Sequence, residues 1–292
     1  MAIVKPYFSA ISFQEIALAF NSPTTSVGLN KYYRGGQYVD NTATNATVPV
    51  EGTIASSNFY GSIGVVQSTQ NLPENTTLYN YDVYTNRGAG YIAGSSSITL
   101  IIPATTTIGS ASSSLPALIV PATFTTGDII TIVNNGTVTG CGGLGTGISG
   151  YSPGSAGSPG LSAAFPTTVT NNGTIAGGGG GGGAGGLYRP NKGNWADGTA
   201  GGGGAGNVVG QGRPGGAYAT ASSPGTYTTG GAAGVAYNFN GTGGAGGNLG
   251  QPGGNGSGST FPGTAGYPAG NAVSGNSYIT WTAFGTRTGP IA

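Results

Sequence analysis

Histidine is missing from this chain, and with it go the commonest general base, the usual nitrogen ligand of zinc and the imidazole of the hydrolase triads. Cysteine occurs once, at Cys141, so no internal disulfide framework can form. Charge is almost as scarce. Eight Lys and Arg and seven Asp and Glu are spread over 292 residues for a net charge of +1, which leaves no basic stripe for phosphates and makes nucleic acid an unexpected partner. No stretch approaches the roughly 20 apolar residues of a membrane helix, and Gln14 and Glu15 interrupt the apolar start as a signal peptide would not allow. Neither a cofactor nor a metal is expected.

What the chain has instead is glycine, 62 residues of it, 48 of them between 136 and 270. That region holds nine prolines, ten aromatics and four charges, Arg189, Lys192, Asp197 and Arg213. So little aliphatic surface cannot build an ordinary core, and each glycine loses more backbone freedom on folding than any other residue. Two outcomes remain, disorder or order held by backbone contacts. In the second, glycine runs adopt the polyproline II conformation with three residues per turn and hydrogen-bond sideways to one another. Collagen is excluded because the Gly-x-y period is absent from runs such as GGGGAG and GGAGGNLGQPGG. Segments rich in aromatics and proline, such as LYRPNKGNW, separate the runs and favour order over a uniform linker.

Residues 1–46 read as a docking module. Ser12 and Glu15 form a capping-box pattern ahead of Phe13, Ile16, Leu18 and Phe20, a short apolar helix that must pack on something because it is too short to stand alone. Tyr32, Tyr33 and Arg34 follow around the pair Gly35-Gly36, either as a solvated turn or as a docking surface. Residues 47–135 contain β-branched runs at 98–102, 117–120 and 129–133, which suggest a small antiparallel β-domain, with Pro103, Pro116 and Pro121 confining several runs to edges. NNGTVTG at 134–140 recurs as NNGTIAG at 171–177, and Asn-Gly suits a tight turn with positive φ, so each copy reads as strand, turn, strand and entry into a glycine run. Two copies are too few to claim a solenoid. Residues 136–270 form the glycine-rich domain, and in 271–292 the alternation from Ser277 to Phe284 reads as a strand that closes it.

Catalysis has little to work with. Glu15, Asp40, Glu51, Glu74, Asp82, Asp128 and Asp197 are far apart in sequence, and a glycosidase would need two of them within about 5 to 9 Å. GxGxxG patterns arise by chance among so many glycines and lack the strand, helix and GK[ST] context of a phosphate loop. The chain is therefore not expected to be an enzyme. Binding should sit in the loops between glycine runs. Candidates are Tyr188, Arg189, Lys192, Trp195, Tyr218, Tyr227, Tyr237 and Phe239, because Tyr and Trp offer rigid contact area with a polar edge and Arg adds directed donors. The plain alternative is that these aromatics cap glycine rods. For docking, the candidates are Phe13, Ile16, Phe20, Tyr32, Tyr33 and Arg34.

Two stretches bear a family resemblance. ISFQEIALAF at 11–20 followed by KYYRGGQYV at 31–39 resembles the N-terminal segment of many tail-fibre and baseplate-associated proteins of tailed phages. The NNGT units, the glycine runs and the ending SYITW…GTRTGPI are similar to the glycine-rich domains of phage tail-fibre adhesins, whose form is a sandwich of polyglycine II helices. The resemblance implies a mainly β chain with one short N-terminal helix and a polyglycine II-type sandwich. It implies a virion tail protein, assembled in the host cytoplasm and freed by lysis. The N-terminus would hold other phage tail or fibre proteins, and the glycine-rich loops would hold a bacterial surface glycan or outer-membrane protein. A homotrimer and a monomer mounted on a trimeric tip are both compatible. The rivals are a structural virion component that touches no receptor and an ice- or wall-binding protein, for which the Thr and Ala spacing is too irregular.

Overall fold

The computed structural model describes residues 12–20, 22, 28–39, 41, 45–59, 66–148, 152–186, 198–216, 219–236, 241–258 and 261–292, together with the backbone of 188–191 and 194–196. Among the described residues one α-helix, α1 (Phe13–Ala19), precedes a series of short strands. β1 (Val66–Asn71), β2 (Thr77–Tyr79) and β3 (Tyr81–Asp82) are followed by β4 (Ser96–Ile102), β5 (Thr107–Gly109) and β6 (Leu118–Val120). Next come β7 (Ile129–Asn134), β8 (Thr137–Thr139) and β9 (Leu161–Ala163), then β10 (Thr167–Asn171) and β11 (Thr174–Ala176). β12 (Tyr188–Asn191) and β13 (Asn194–Ala196) make a separate antiparallel pair, and β14 (Val273–Ser274), β15 (Ile279–Ala283) and β16 (Thr286–Thr288) complete the chain.

Three sheets take the strands in turn, in the orders β1-β4-β7-β10-β15, β2-β5-β8-β11-β16 and β3-β6-β9-β14. Neighbours within a sheet are one winding apart in sequence, and the β2-β5-β8-β11-β16 ladder is parallel throughout. This is a parallel β-solenoid, and it overturns the antiparallel domain expected for 47–135. The reason lies at the bends. Gly136 and Gly173 are not among the residues with positive φ, so Asn-Gly makes no I′ hairpin turn. Instead the Asn134 side chain accepts from Gly136 N at 3.1 Å, an Asx turn that hands the chain to the next sheet rather than back along the same one. The prolines likewise flank strands rather than mark edges. β4 lies between β1 and β7, and β6 between β3 and β9, while Pro103, Pro116 and Pro121 sit outside the strands, where no ladder donor is needed.

The chain divides into two compact units, one of residues 1–70, 84–100 and 123–131, the other of 71–83, 101–122 and 132–292. In the first, Ser12 caps α1: Glu15 N donates to Ser12 Oγ at 3.2 Å and Ser12 N to Glu15 Oε2 at 2.9 Å. The helix buries Ile16 in a cluster with Phe20, Tyr32, Val39, Val48 and Phe59. Phe20 and Phe59 meet edge to face at 5.5 Å, and Tyr32 meets Phe59 at 6.2 Å. Each such buried side chain stabilises by about 1.5 to 3 kcal/mol, enough to hold a helix of two turns that would melt alone.

In the second unit, inward positions stack in columns. Leu78, Ile108, Val138 and Ile175 are in register in one sheet, and Leu118, Leu161 and Val273 in another. Asn134 and Asn171, both fully buried, form a side-chain ladder, with Asn134 Nδ2 donating to Asn171 Oδ1 at 2.8 Å and Asn171 Nδ2 to Phe284 O at 2.7 Å. β15, the expected closing strand, pairs with β10 and is the last strand of its sheet.

From this solenoid the chain leaves after β8 and β11 into segments with no strand ladder. The run 177–186 is surrounded by six others, and its amides point outward in turn with a period of three. Gly178 and Gly181 donate to Ser158 and Ser155, Gly179 and Gly182 to Ala205 and Gly202, Gly180 and Gly183 to Gln251 and Gly254. Its carbonyls accept with the same period from Gly143 and Thr146, from Gly270 and Tyr267, and from Gly247 and Gly244. The core of this bundle is backbone. None of the glycines of the run has positive φ. They are glycine because their neighbours leave no room: a Cβ on Gly181 would overlap the Leu144 carbonyl, and one on Gly178 the Cys141 carbonyl.

Candidate functional site

The segments around 177–186 run both ways. Residues 140–146 and 251–257 run parallel to it, and 155–158, 199–205, 244–250 and 264–270 run antiparallel. Their connections therefore emerge at two ends. At the end away from the solenoid, Gly147 N donates to Ser152 O at 2.7 Å, Gly185 N to Thr199 O at 2.9 Å, Gly186 N to Ser257 O at 3.0 Å and Ser257 N to Thr242 O at 2.8 Å. Thr242 also bridges to Val235, and Ala219 to Ala236. Five connections, 147–152, 186–198, 216–219, 236–241 and 258–261, thus have their described flanks at one end of the bundle.

The longest of these holds the β12–β13 hairpin, with Tyr188 opposite Ala196 and Asn191 opposite Asn194. Tyr188, Arg189 and Trp195 are placed by backbone on this hairpin. Lys192, Tyr218, Tyr237 and Phe239 lie outside the described residues, although all four belong to connections that start and finish at this end. Tyr227 does not join them. It is 41% exposed and its hydroxyl lies 3.3 Å from Thr139 Oγ1, on β8, at the solenoid end of the bundle.

The docking candidates divide by burial. Ile16, Phe20 and Tyr32 are buried in their own unit's core, Tyr33 and Arg34 are half-buried, and Phe13 is exposed, as is Leu18 at 64%. Tyr33 donates its hydroxyl to Gly52 O, and the Ser22 and Tyr32 hydroxyls hydrogen-bond each other, so both candidate tyrosines are engaged internally.

Two groupings escaped the sequence reading. Asp128, one of the scattered carboxylates, is a buried hub that accepts from Tyr91 Oη at 2.6 Å, Thr125 N at 2.9 Å, Gly94 N at 3.0 Å and Ser96 N at 3.2 Å. Burial, and after it the bond to Asp128, push the Tyr91 phenol up to about 12. Arg87 stacks on Tyr84, 3.8 Å from the ring centroid, in the same cluster. This carboxylate ties down loops. Near the chain end, Arg287 stacks on Trp281 and Phe284 at 4.9 and 4.7 Å. Cys141 is buried and its thiol is pushed up to about 11 by that burial, which makes it a poor nucleophile. Among the described residues no three His, Cys, Asp or Glu side chains gather to hold a metal ion.

The geometry is that of a backbone-built bundle whose five connections have their described flanks at one end. Comparison with known proteins adds an identity to it. A family model described as phage tail fibre adhesin Gp38 matches residues 62–292. The fold is similar to a chain in the crystal structure of the gp37-gp38 adhesin tip complex of the bacteriophage S16 long tail fiber, at 23% identity and a TM-score of 0.50, covering 83% of this chain and 88% of that one. No curated protein matches the chain. Since the family model takes in all of the strands and the whole bundle, the chain belongs to the phage tail fibre adhesin Gp38 family and is a receptor-binding adhesin of the virion tail.

Proposed function

We propose that recognition of the bacterial surface resides in the five connections at the free end of the glycine-rich bundle, led by the β12–β13 hairpin. The observation that carries this reading is the convergence of their described flanks: segments of both polarities bring the starts and finishes of 147–152, 186–198, 216–219, 236–241 and 258–261 to one end. Loops positioned by a rigid scaffold are where binding residues concentrate. The bundle acts as that scaffold in the form of a polyglycine II sandwich, a reading supported by the three-residue period of its donors and acceptors. Tyr188, Arg189, Lys192, Trp195, Tyr218, Tyr237 and Phe239 supply the contacts, and a surface glycan or an outer-membrane protein loop is the partner such aromatic and cationic side chains suit. Tyr227 drops out of the set because it sits at the other end.

At the N-terminal unit, Phe13 and Leu18 on α1 are the apolar side chains free to seat another tail-fibre protein, while Ile16, Phe20 and Tyr32 hold the unit together behind them. The similar S16 chain is part of a gp37-gp38 adhesin tip complex, which supports docking of this kind. Assembly takes place in the host cytoplasm, where the lone buried Cys141 stays reduced.

The test is binding of the full-length protein to intact cells of bacterial strains that the parent phage infects, with Tyr188→Ala and Trp195→Ala singly and together. Saturable binding by the wild type, lost at least about tenfold in the double variant with Tm unchanged, is expected, since aromatic anchors typically contribute 2 kcal/mol or more, roughly 30-fold. A folded double variant that binds like the wild type would place recognition elsewhere. A wild type that binds no susceptible strain would favour a structural role in the tail.

A further inference from the structure

We propose that the last winding of the solenoid is a built-in end cap, with Arg287 as its key residue, and that it keeps a second copy of this chain from adding edge to edge. β15 pairs with β10 and β16 with β11, and each is the terminal strand of its sheet, so one row of backbone donors and acceptors in each faces away from the ladder. An exposed parallel edge is a template for another chain. The protein's net charge of +1 offers no repulsion that would hold copies apart.

The sequence changes character at this winding. In the column Leu78, Ile108, Val138, Ile175, the fifth position is Arg287. A further strand laid on β16 would stack directly over that guanidinium and bury it without a partner, which is unfavourable by several kcal/mol. The charge is held in place rather than free to swing out, since it lies over the adjacent rings of Trp281 and Phe284. Trp281 itself lies over Val169 in the neighbouring sheet and donates Nε1–H to Asn276 Oδ1 at 2.9 Å. Thus the open end of the core is roofed by an aromatic ring and a cation. Two irregularities add to the block. The β10–β15 register slips between Val169 and Thr170, and Gly285 and Gly289, with φ of 50° and 120°, bound β16. Repeat arrays in general need terminal units unlike the internal ones to stay soluble.

The experiment is analytical ultracentrifugation of the full chain across a wide concentration range, comparing wild type, Arg287→Ile, Arg287→Lys and Arg287→Ile/Thr280→Lys. Ile continues the column, so R287I should shift the sedimentation profile with rising concentration toward dimers and larger species, while wild type and R287K keep one profile. Thr280 is exposed on β15, and a lysine there restores a charge to the edge, so the double variant should return to the wild-type profile. Circular dichroism and Tm separate native association from misfolding. A folded R287I that sediments like the wild type at every concentration overturns the proposal, and so does R287I association that T280K leaves unchanged.

Discussion

Gly181 shows how tightly this chain constrains single positions. Its amide donates to Ser155 O, its carbonyl accepts from Tyr267 N, and its missing side chain is the space occupied by the Leu144 carbonyl. Two effects of Gly181→Ala oppose each other. Alanine restricts the unfolded chain and would stabilise by about 0.4 to 1 kcal/mol if the native backbone tolerated it. Overpacking against backbone, which has no rotamer to yield, destabilises by about 3 kcal/mol and wins. The net loss of about 2 to 2.6 kcal/mol is expected to lower Tm by roughly 4 to 10 °C in a calorimetric scan. Gly90→Ala is the matched control. That glycine is exposed, has no positive φ, and a Cβ there would meet only Val66 Cγ1 at an ordinary 3.8 Å, so its Tm should stay equal or rise.

At the scale of elements, the Asp128 hub turns one carboxylate into a clamp for the loop 91–96 and the turn 125–128. Tyr91→Phe removes one charge-assisted donor and is expected to lower stability by about 1 to 2 kcal/mol near neutral pH. The difference is pH-dependent. Burial pushes the Tyr91 phenol up to about 12 from its ordinary value of 10.0, so its contribution is complete below pH 10 and disappears as pH rises through 12. Denaturation curves of wild type and Y91F should therefore converge over that window, and a gap of constant size would remove Tyr91 from the clamp. None of this was legible beforehand, because a lone Asp among glycines and threonines carries no sequence mark of its partners. The elements themselves were partly legible. The runs at 98–102, 117–120 and 129–133 became β4, β6 and β7, and the Ser12–Glu15 box did start α1. Strand direction was not, because alternation reports which face is buried and not which way the neighbour runs. The signal for winding was present in the 37-residue spacing of the NNGT units, in GT at 285–286 and in the 30-residue spacing between LPENTTLYN at 72–80 and IPATTTIGS at 102–110. Asn75 N donates to Thr105 Oγ1, and Asn80 Nδ2 to Ser110 Oγ, each across those 30 residues.

For the molecule as a whole, composition and architecture agree on where stability does not come from. Fifteen charged residues in 292 leave little room for ion-pair networks, and the one cluster of carboxylate contacts described above is made largely with neutral amides and a phenol. What holds the bundle is a lattice of backbone hydrogen bonds between close-packed segments, and what holds the solenoid is its columns and parallel ladders. Mobile ions screen charges but have no purchase on buried amide–carbonyl pairs. Raising sodium chloride from about 0.1 M to about 1 M shortens the Debye length from about 10 to about 3 Å, enough to erase exposed ion pairs. The expected change in Tm over that range is under about 3 °C, with sodium chloride chosen because sulfate would strengthen apolar burial by exclusion and confuse the comparison. A fall of about 10 °C would mean that the few charges are organised into pairs on which the fold depends, and would shift the account of this adhesin's stability from its backbone to its side chains.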